Sequence, residues 1–208
     1  KLDNWRKVIV PSGEKAKELT VFSMLIHELT KMEADRKTML VGIGGGVVTD
    51  LTGFVASVYM RGIPFAFAPT TLLAQVDASI GGKNGINFER YKNLLGTVNQ
   101  PQFILFDYDW LNTIPEEEWT TGFAEIIKCA CILDSELFDF LEASREAALQ
   151  RDPAVTAYLV EKSVIHKSVI VQEDEFESNQ RRWLNFGHTI GHAVEKLETI
   201  AHGKAVSI

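Results

Sequence analysis

The chain has 208 residues, 46% of them hydrophobic and 24% charged, the proportions of a globular protein with material for a sizeable core. A formal charge of −7 disfavours a nucleic-acid partner, although a local basic pocket on an acidic protein still suits an anionic small molecule. No apolar run approaches the ~18 residues of a membrane span and no signal peptide is recognised, so neither a membrane nor a secretory route is expected.

Lys7–Val10 reads as a short strand ended by Pro11-Ser12-Gly13. A helix is expected over Ala16–Lys31, with Leu19, Phe22, Leu25, Ile26 and Leu29 at three-to-four spacing. Thr38–Gly42 reads as an apolar strand running into Gly44-Gly45-Gly46 and a helix over Val47–Met60, the start of a βαβ unit. Pro64–Ala68 and Phe103–Asp107 read as further strands of a parallel sheet, with a helical segment at Leu72–Ser79 and a glycine-rich loop after it. Beyond Pro115 the pattern is helical: Glu117–Ile132, Glu136–Gln150, Ala154–Glu173 and Thr189–Leu197, with Asp174–Gln180 a polar loop. The expectation is an α/β, Rossmann-like nucleotide-binding half over 1–115, followed by an all-α half over 116–208. Cys129 and Cys131 point apart on a helix, so no disulfide is expected and a reducing cytosol suits the chain. The opening without Met and the end at Ala205-Val206-Ser207-Ile208 inside a helical stretch read as those of a fragment.

Chemistry concentrates in a few stretches. Gly44-Gly45-Gly46 after a strand lets backbone N–H groups approach a phosphate, or simply makes a tight turn; the spacing is not GxGxxG. Pro69-Thr70-Thr71 at a strand's carboxyl end either holds a ribose or phosphate or caps the next helix. Lys83 in Gly81-Gly82-Lys83, followed by Lys92-Asn93, offers an anion hook. Glu125 and Lys128 share one face of an otherwise apolar helix, and a buried carboxylate wants a metal or a cation. His166-Lys167 and Arg181-Arg182 could add to an anion pocket. His188 and His192 lie one helical turn apart, and with His202 they put three of the five histidines within fifteen residues. Residue 189 is Thr, so the HExxH zinc-protease motif is absent, yet two His and one carboxylate suit an open Zn²⁺ site. Spacing leaves open which histidines would bind.

Taken in order, these stretches resemble the 3-dehydroquinate synthase family. The matching segments are Pro11–Glu14 with Lys17, Gly44–Gly53, Tyr59–Gly62, Pro69–Asn87, Lys92–Leu94, Gly122–Lys128, His166-Lys167 and Arg181–His192 with His202-Gly203. Family members extend further at both ends. The resemblance implies an NAD-dependent, Zn²⁺- or Co²⁺-dependent lyase of the shikimate pathway. It would convert 3-deoxy-D-arabino-heptulosonate 7-phosphate to 3-dehydroquinate and phosphate, as a cytoplasmic homodimer. It further implies Glu125, His188 and His202 as metal ligands, with His192 in a supporting or proton-relay role among the catalytic residues. Asp77, Lys83, Asn93, Lys128, Lys167, Arg181 and Asn185 would surround the substrate, and Arg61 would reach its phosphate, from the same or a partner subunit. Glu14, Lys17, Gly45, Gly46, Asp50, Thr70, Thr71, Lys92 and Thr113 would line the NAD site. Thr121 departs from the Asn of some members, and no role follows for it. The rival readings are another sugar-phosphate cyclase, a metal-dependent polyol dehydrogenase, and a non-catalytic NAD-binding domain.

Overall fold

The structure, a computed structural model, describes residues 5–188 and 191. Two compact units emerge: Lys1–Ala68 with Gly82–Leu105, and Pro69–Gly81 with Phe106–Ile208. The sequence expectation drew one boundary after residue 115. Here the segments 69–81 and 106–115 belong with the helices, because Leu72, Val76 and Leu111 are buried in one core with Trp119, Ile126 and Leu159.

In the first unit, the expected helix over Ala16–Lys31 is split. A 3₁₀ turn, Glu14–Lys17, precedes α1 (Leu19–Lys31), with extended Glu18 between them. Strand β1 (Leu40–Gly44) leads through Gly45 into α2 (Gly46–Val58), and β2 (Phe65–Pro69) pairs with β1 in a parallel sheet. Phe103–Asp107, expected as a full strand, forms only one parallel bridge, Ile104 to Phe67, and its Phe103 and Leu105 are exposed. Lys7–Val10 forms no strand among the described residues. α1, α2 and the sheet enclose Leu29, Leu51, Phe54 and Val55, with the Phe22 and Phe54 rings 5.1 Å apart.

The stretch read as a glycine-rich loop is an antiparallel hairpin, β3 (Lys83–Phe88) with β4 (Tyr91–Val98). Its glycines serve close approach: Gly85 pairs with Gly96, where a Cβ on either would fall within 2.8 Å of a backbone oxygen opposite. α2 also meets β3 closely, since a Cβ on Gly53 would lie 1.9 Å from Asn84 Oδ1. Asn84 is buried and held by Nδ2 bonds to the carbonyls of Gly82 (2.7 Å) and Asn99 (2.9 Å), so it cannot swing aside freely. Gly53→Ala is therefore expected to destabilise the fold by about 1–3 kcal/mol through overpacking, outweighing the gain in helix propensity. The check is the urea midpoint of the variant; an unchanged or raised midpoint would contradict it.

In the second unit, Leu72–Ser79 is helical as expected, but residues Ala74–Ala78 form a π turn. α3 (Glu116–Leu133) buries Trp119, Ile126 and Ala130. The expected helix over Glu136–Gln150 breaks at Ser144 into α4 (Ser135–Ala143) and α5 (Arg145–Leu149). α6 (Pro153–Glu173) starts where Asp152 Oδ1 accepts from the N–H groups of Ala154 and Val155, both at 3.0 Å, with Pro153 in the first turn. The helix expected over Thr189–Leu197 lies outside the described residues apart from residue 191. No helix of the described residues is long and apolar enough to cross a membrane.

Candidate metal and anion site

α3 presents Glu125 and Lys128 inward, both buried, and Lys128 Nζ donates to Glu125 Oε2. The other carboxylate oxygen, Oε1, lies 3.6 Å from His188 Nε2. His188 Nδ1 is 3.2 Å from the Phe186 carbonyl, which can only accept, so Nδ1 carries the proton and Nε2 keeps its lone pair in the neutral ring. Two ligands bound at ~2.0–2.2 Å with tetrahedral angles stand roughly 3.3–3.6 Å apart. One imidazole nitrogen, tautomer fixed from behind, and one buried carboxylate oxygen at that separation fit a divalent ion of the Zn²⁺ type. Among the described residues no third His, Cys, Asp or Glu joins them. His192 and His202, expected as supporting residue and ligand, lie outside the described residues.

The π turn sets Asp77 against α6. Lys167 Nζ donates both to the Asp77 backbone carbonyl, at 2.6 Å, and to its Oδ1. A π turn widens the helix and lets one residue present carbonyl and carboxylate to a single ammonium. Burial alone would raise the Asp77 carboxyl, but the charges of Lys167 and Lys128 and the hydrogen bond from Lys167 overcome it and hold the group well below the usual carboxylate range. Asp77, Glu125, Lys128, Lys167 and His188 thus form one electrostatic cluster. Arg181 is buried beside it; Nη2 donates to the Gly81 carbonyl at 2.8 Å and Nη1 to that of Glu175. Asn185 is exposed and its Nδ2 donates to Glu177 Oε1 at 2.6 Å. Burial also raises the Cys129 thiol, to about 11, so it is no nucleophile at neutral pH.

A second cluster sits in the first unit. Buried Lys17 donates to Asp50 Oδ2 at 2.6 Å and to Asn93 Oδ1. Asn93 takes a left-handed backbone, φ 52°, and its N–H donates to Asn87 Oδ1 at 2.9 Å, while Asn87 Nδ2 donates to Glu14 Oε2 at 3.0 Å. Of the residues implied for NAD, Glu14, Lys17, Asp50 and Lys92 share this unit with Gly45 and Gly46. Asn93, implied for substrate, here joins the Lys17–Asp50 pair. Gly44, at the end of β1, packs strand closely on helix: a Cβ there would lie 2.6 Å from Val48 Cγ2. A mostly apolar groove of about 890 Å³ also lies beside β1, but none of Lys17, Asp50 or Asn93 lines it.

Other expected residues fall elsewhere. Lys83 opens β3, and Arg61 sits at φ 67° between Met60 (φ 51°) and Gly62 (φ 117°), a run of left-handed residues. Thr71 Oγ1 accepts from the Ala74 N–H at 3.2 Å, the helix-capping alternative, and Thr70 and Thr113 share its unit. Thr121 is buried, its hydroxyl bonded back to the Glu117 carbonyl at 2.7 Å within α3. Sequence reasoning missed Asp134, which caps α4 and lies 2.7 Å from His166 Nε2. It also missed Glu177 and Asp174. An Asp closing an apolar helix ahead of Ser178-Asn179 was the available signal for the latter.

A 3-dehydroquinate synthase of Dictyoglomus thermophilum is 47% identical over 204 residues, which is 97% of this chain and 58% of the relative. The chain thus spans a little over half the length of the curated relatives it matches. Among solved structures, 2-epi-5-epi-valiolone synthase from Streptomyces hygroscopicus subsp. jinggangensis 5008, solved with NAD⁺ and Zn²⁺ bound, superposes with a TM-score of 0.89 at 33% identity. That match covers 95% of this chain and 56% of the neighbour. A 2-deoxy-scyllo-inosose synthase solved with carbaglucose-6-phosphate, NAD⁺ and Co²⁺ gives a TM-score of 0.89 at 30% identity, over 95% of this chain and 55% of the other. The family model for the 3-dehydroquinate synthase N-terminal region matches residues 7–121 and that for its C-terminal region residues 122–208, so the chain belongs to the 3-dehydroquinate synthase family.

Proposed function

We propose that the protein to which this chain belongs is a lyase converting 3-deoxy-D-arabino-heptulosonate 7-phosphate to 3-dehydroquinate and phosphate, with NAD⁺ and one Zn²⁺ or Co²⁺. The observation that carries the reading is buried Glu125 with half-buried His188, 3.6 Å apart, in one electrostatic cluster with Lys128, Lys167 and Asp77. The 47% identity to a 3-dehydroquinate synthase, against 30–33% to the two cyclases solved with other names, favours this substrate over theirs.

When bound, the cofactor supplies reversible hydride acceptance and the ion Lewis acidity toward substrate hydroxyls. The chain's own groups hold and orient. Glu125, with Lys128 fixing one oxygen, and His188, with its tautomer set by Phe186, are the described members of the ligand set, and His202 is the third. Lys128, Lys167 and Arg181 supply positive charge for a phosphorylated substrate, with Asp77 fixing the Lys167 ammonium. Lys17, Asp50, Glu14 and Lys92 are assigned to the cofactor, with Gly45, Gly46, Thr70, Thr71 and Thr113. Lys83, Asn93, Asn185, His192 and Arg61 are assigned to the substrate. Because Lys17 bonds both Asp50 and Asn93, cofactor and substrate groups share one ammonium. The reading also places the protein in the cytosol, which suits two free cysteines, as a homodimer in which Arg61 serves its own or its partner's site.

The test is phosphate release by the full-length protein from the heptulosonate phosphate. Release is expected only with both NAD⁺ and a divalent ion present, with 3-dehydroquinate as product and no net NADH. Release persisting in chelated protein would sink the metal role. A different carbocyclic product would point to another cyclase, and NADH accumulating with glycerol to a dehydrogenase.

A further inference from the structure

Asp174 directly follows α6, a helix of 21 residues, and it is buried. A carboxylate at a helix C-terminus is electrostatically unfavourable, because the last carbonyls already concentrate negative charge. Burial adds a desolvation cost. What offsets both is a complete set of donors from the next seven residues. Oδ1 accepts from the Ser178 N–H at 2.9 Å and the Ser178 hydroxyl at 3.0 Å. Oδ2 accepts from the Asn179 N–H at 2.7 Å and the Arg181 N–H at 3.1 Å. These four bonds fill the acceptor capacity of a carboxylate. Burial works to raise this carboxyl, and the backbone donors of Asn179, Ser178 and Arg181 pull it down to about 2.

The bonds wrap residues 174–181 around one side chain, with Glu177 in the left-handed region at φ 57°. The loop ends on Arg181, which is pinned at both ends: its backbone on Asp174, its guanidinium on the carbonyls of Gly81 and Glu175. Gly81 has φ 102°, and a Cβ there would lie 2.3 Å from Arg181 Nη2, so the guanidinium occupies the space a side chain would need. Glu177, from the same loop, accepts from Asn185. Two residues assigned to the substrate are therefore set by one loop.

We propose that Asp174 is a positioning residue, which holds the loop to Arg181 in the conformation that delivers the Arg181 guanidinium, and through Glu177 the Asn185 amide, to the anionic substrate. This rests on the function proposed above. The test is Asp174→Asn in the full-length protein, where in either orientation an amide NH₂ replaces an acceptor opposite at least one backbone N–H donor. Expected is a KM for the heptulosonate phosphate raised about tenfold or more. The NAD⁺ dissociation constant should stay within about twofold and the bound metal per chain should not change, the outcome that separates positioning of Arg181 from a disturbed metal site. Amide hydrogen exchange at Asn179 and Arg181 should accelerate. In an Arg181→Lys background the same change should add less than about twofold, since the two act as one unit. Ser178→Ala, which removes a single bond, should raise KM about two- to threefold, and decides the question if Asp174→Asn does not fold. An unchanged KM with a reduced count of metal-loaded molecules, or full additivity with Arg181→Lys, would overturn the proposal. Wild-type protein that releases no phosphate removes the proposed function and this inference together; active wild type with KM unchanged in both variants removes the inference alone.

Discussion

Glu125→Gln is expected to lower divalent-ion affinity of the full-length protein at least ~100-fold, the upper end of what loss of a supporting group costs, and phosphate release with it. The argument turns on Lys128. Its ammonium is buried against Glu125 Oε2, so Glu125→Ala would strand a charge at a cost of about 3–5 kcal/mol and confuse unfolding with metal loss. Gln keeps an oxygen for Lys128 to donate to and keeps the volume, but it removes the negative charge that Oε1 presents 3.6 Å from His188 Nε2. His202→Ala should lose affinity comparably, whereas His192→Ala, assigned a supporting role, should lose less than about tenfold. Competition with a fluorescent chelator reads all three. Equal loss in Glu125→Gln and His192→Ala would refute the ligand assignment.

Lys167→Met is expected to lower stability by about 2–3 kcal/mol at pH 7. That is less than the ~3–5 kcal/mol for breaking a fully buried pair, because the Asp77 side chain retains 28% exposure. The loss should be pH-dependent in a definite direction. Asp77 titrates lower in the folded state than in the unfolded chain, where it sits near 3.9, roughly the model-peptide value. Its contribution is therefore complete above about pH 5 and drains away as acid is added below pH 4, toward the folded value. Without Lys167 the half-buried Asp77 carboxyl protonates more readily, so the variant recovers ground on acidification. Urea midpoints at pH 7, 5 and 3.5 should show the gap between variant and wild type narrowing. A gap of constant size would rule out the ion pair as its source.

Which parts of this were legible in the sequence follows from how local each signal is. α3 and α6 announced themselves because apolar residues recur each turn and Asp152-Pro153 marks a start. The β3–β4 hairpin did not. Its turn residues are Glu89, at φ 53°, and Arg90, where an Asn-Gly pair would have been the signal, and its glycines looked like loop glycines. Their purpose, letting Gly85 pass Gly96 and Gly53 admit Asn84, exists only once the elements are packed. The break at Ser144 was hidden because the helical pattern continues on both sides. In the site, the Glu125–Lys128 pair was visible from spacing within one helix. The contact of His188 with Glu125, 63 residues apart in number, was reachable only through the family resemblance. Asp174 was missed because its signal, an Asp closing a helix ahead of Ser178-Asn179, marks a turn and does not tell that the side chain is buried.

The π turn at Ala74–Ala78 makes Asp77 answer to chain length more than to composition. An α-helix advances about 100° per residue, so losing one residue there would turn everything beyond it by that angle. Exchange of one small apolar residue for another within the turn leaves the carbonyl and carboxylate of Asp77 on the same ammonium, whereas a single-codon deletion carries them away from Lys167 while leaving the helix intact. Relatives that share the activity should therefore keep this segment's residue count, and a gap there in an otherwise similar sequence would mark altered chemistry.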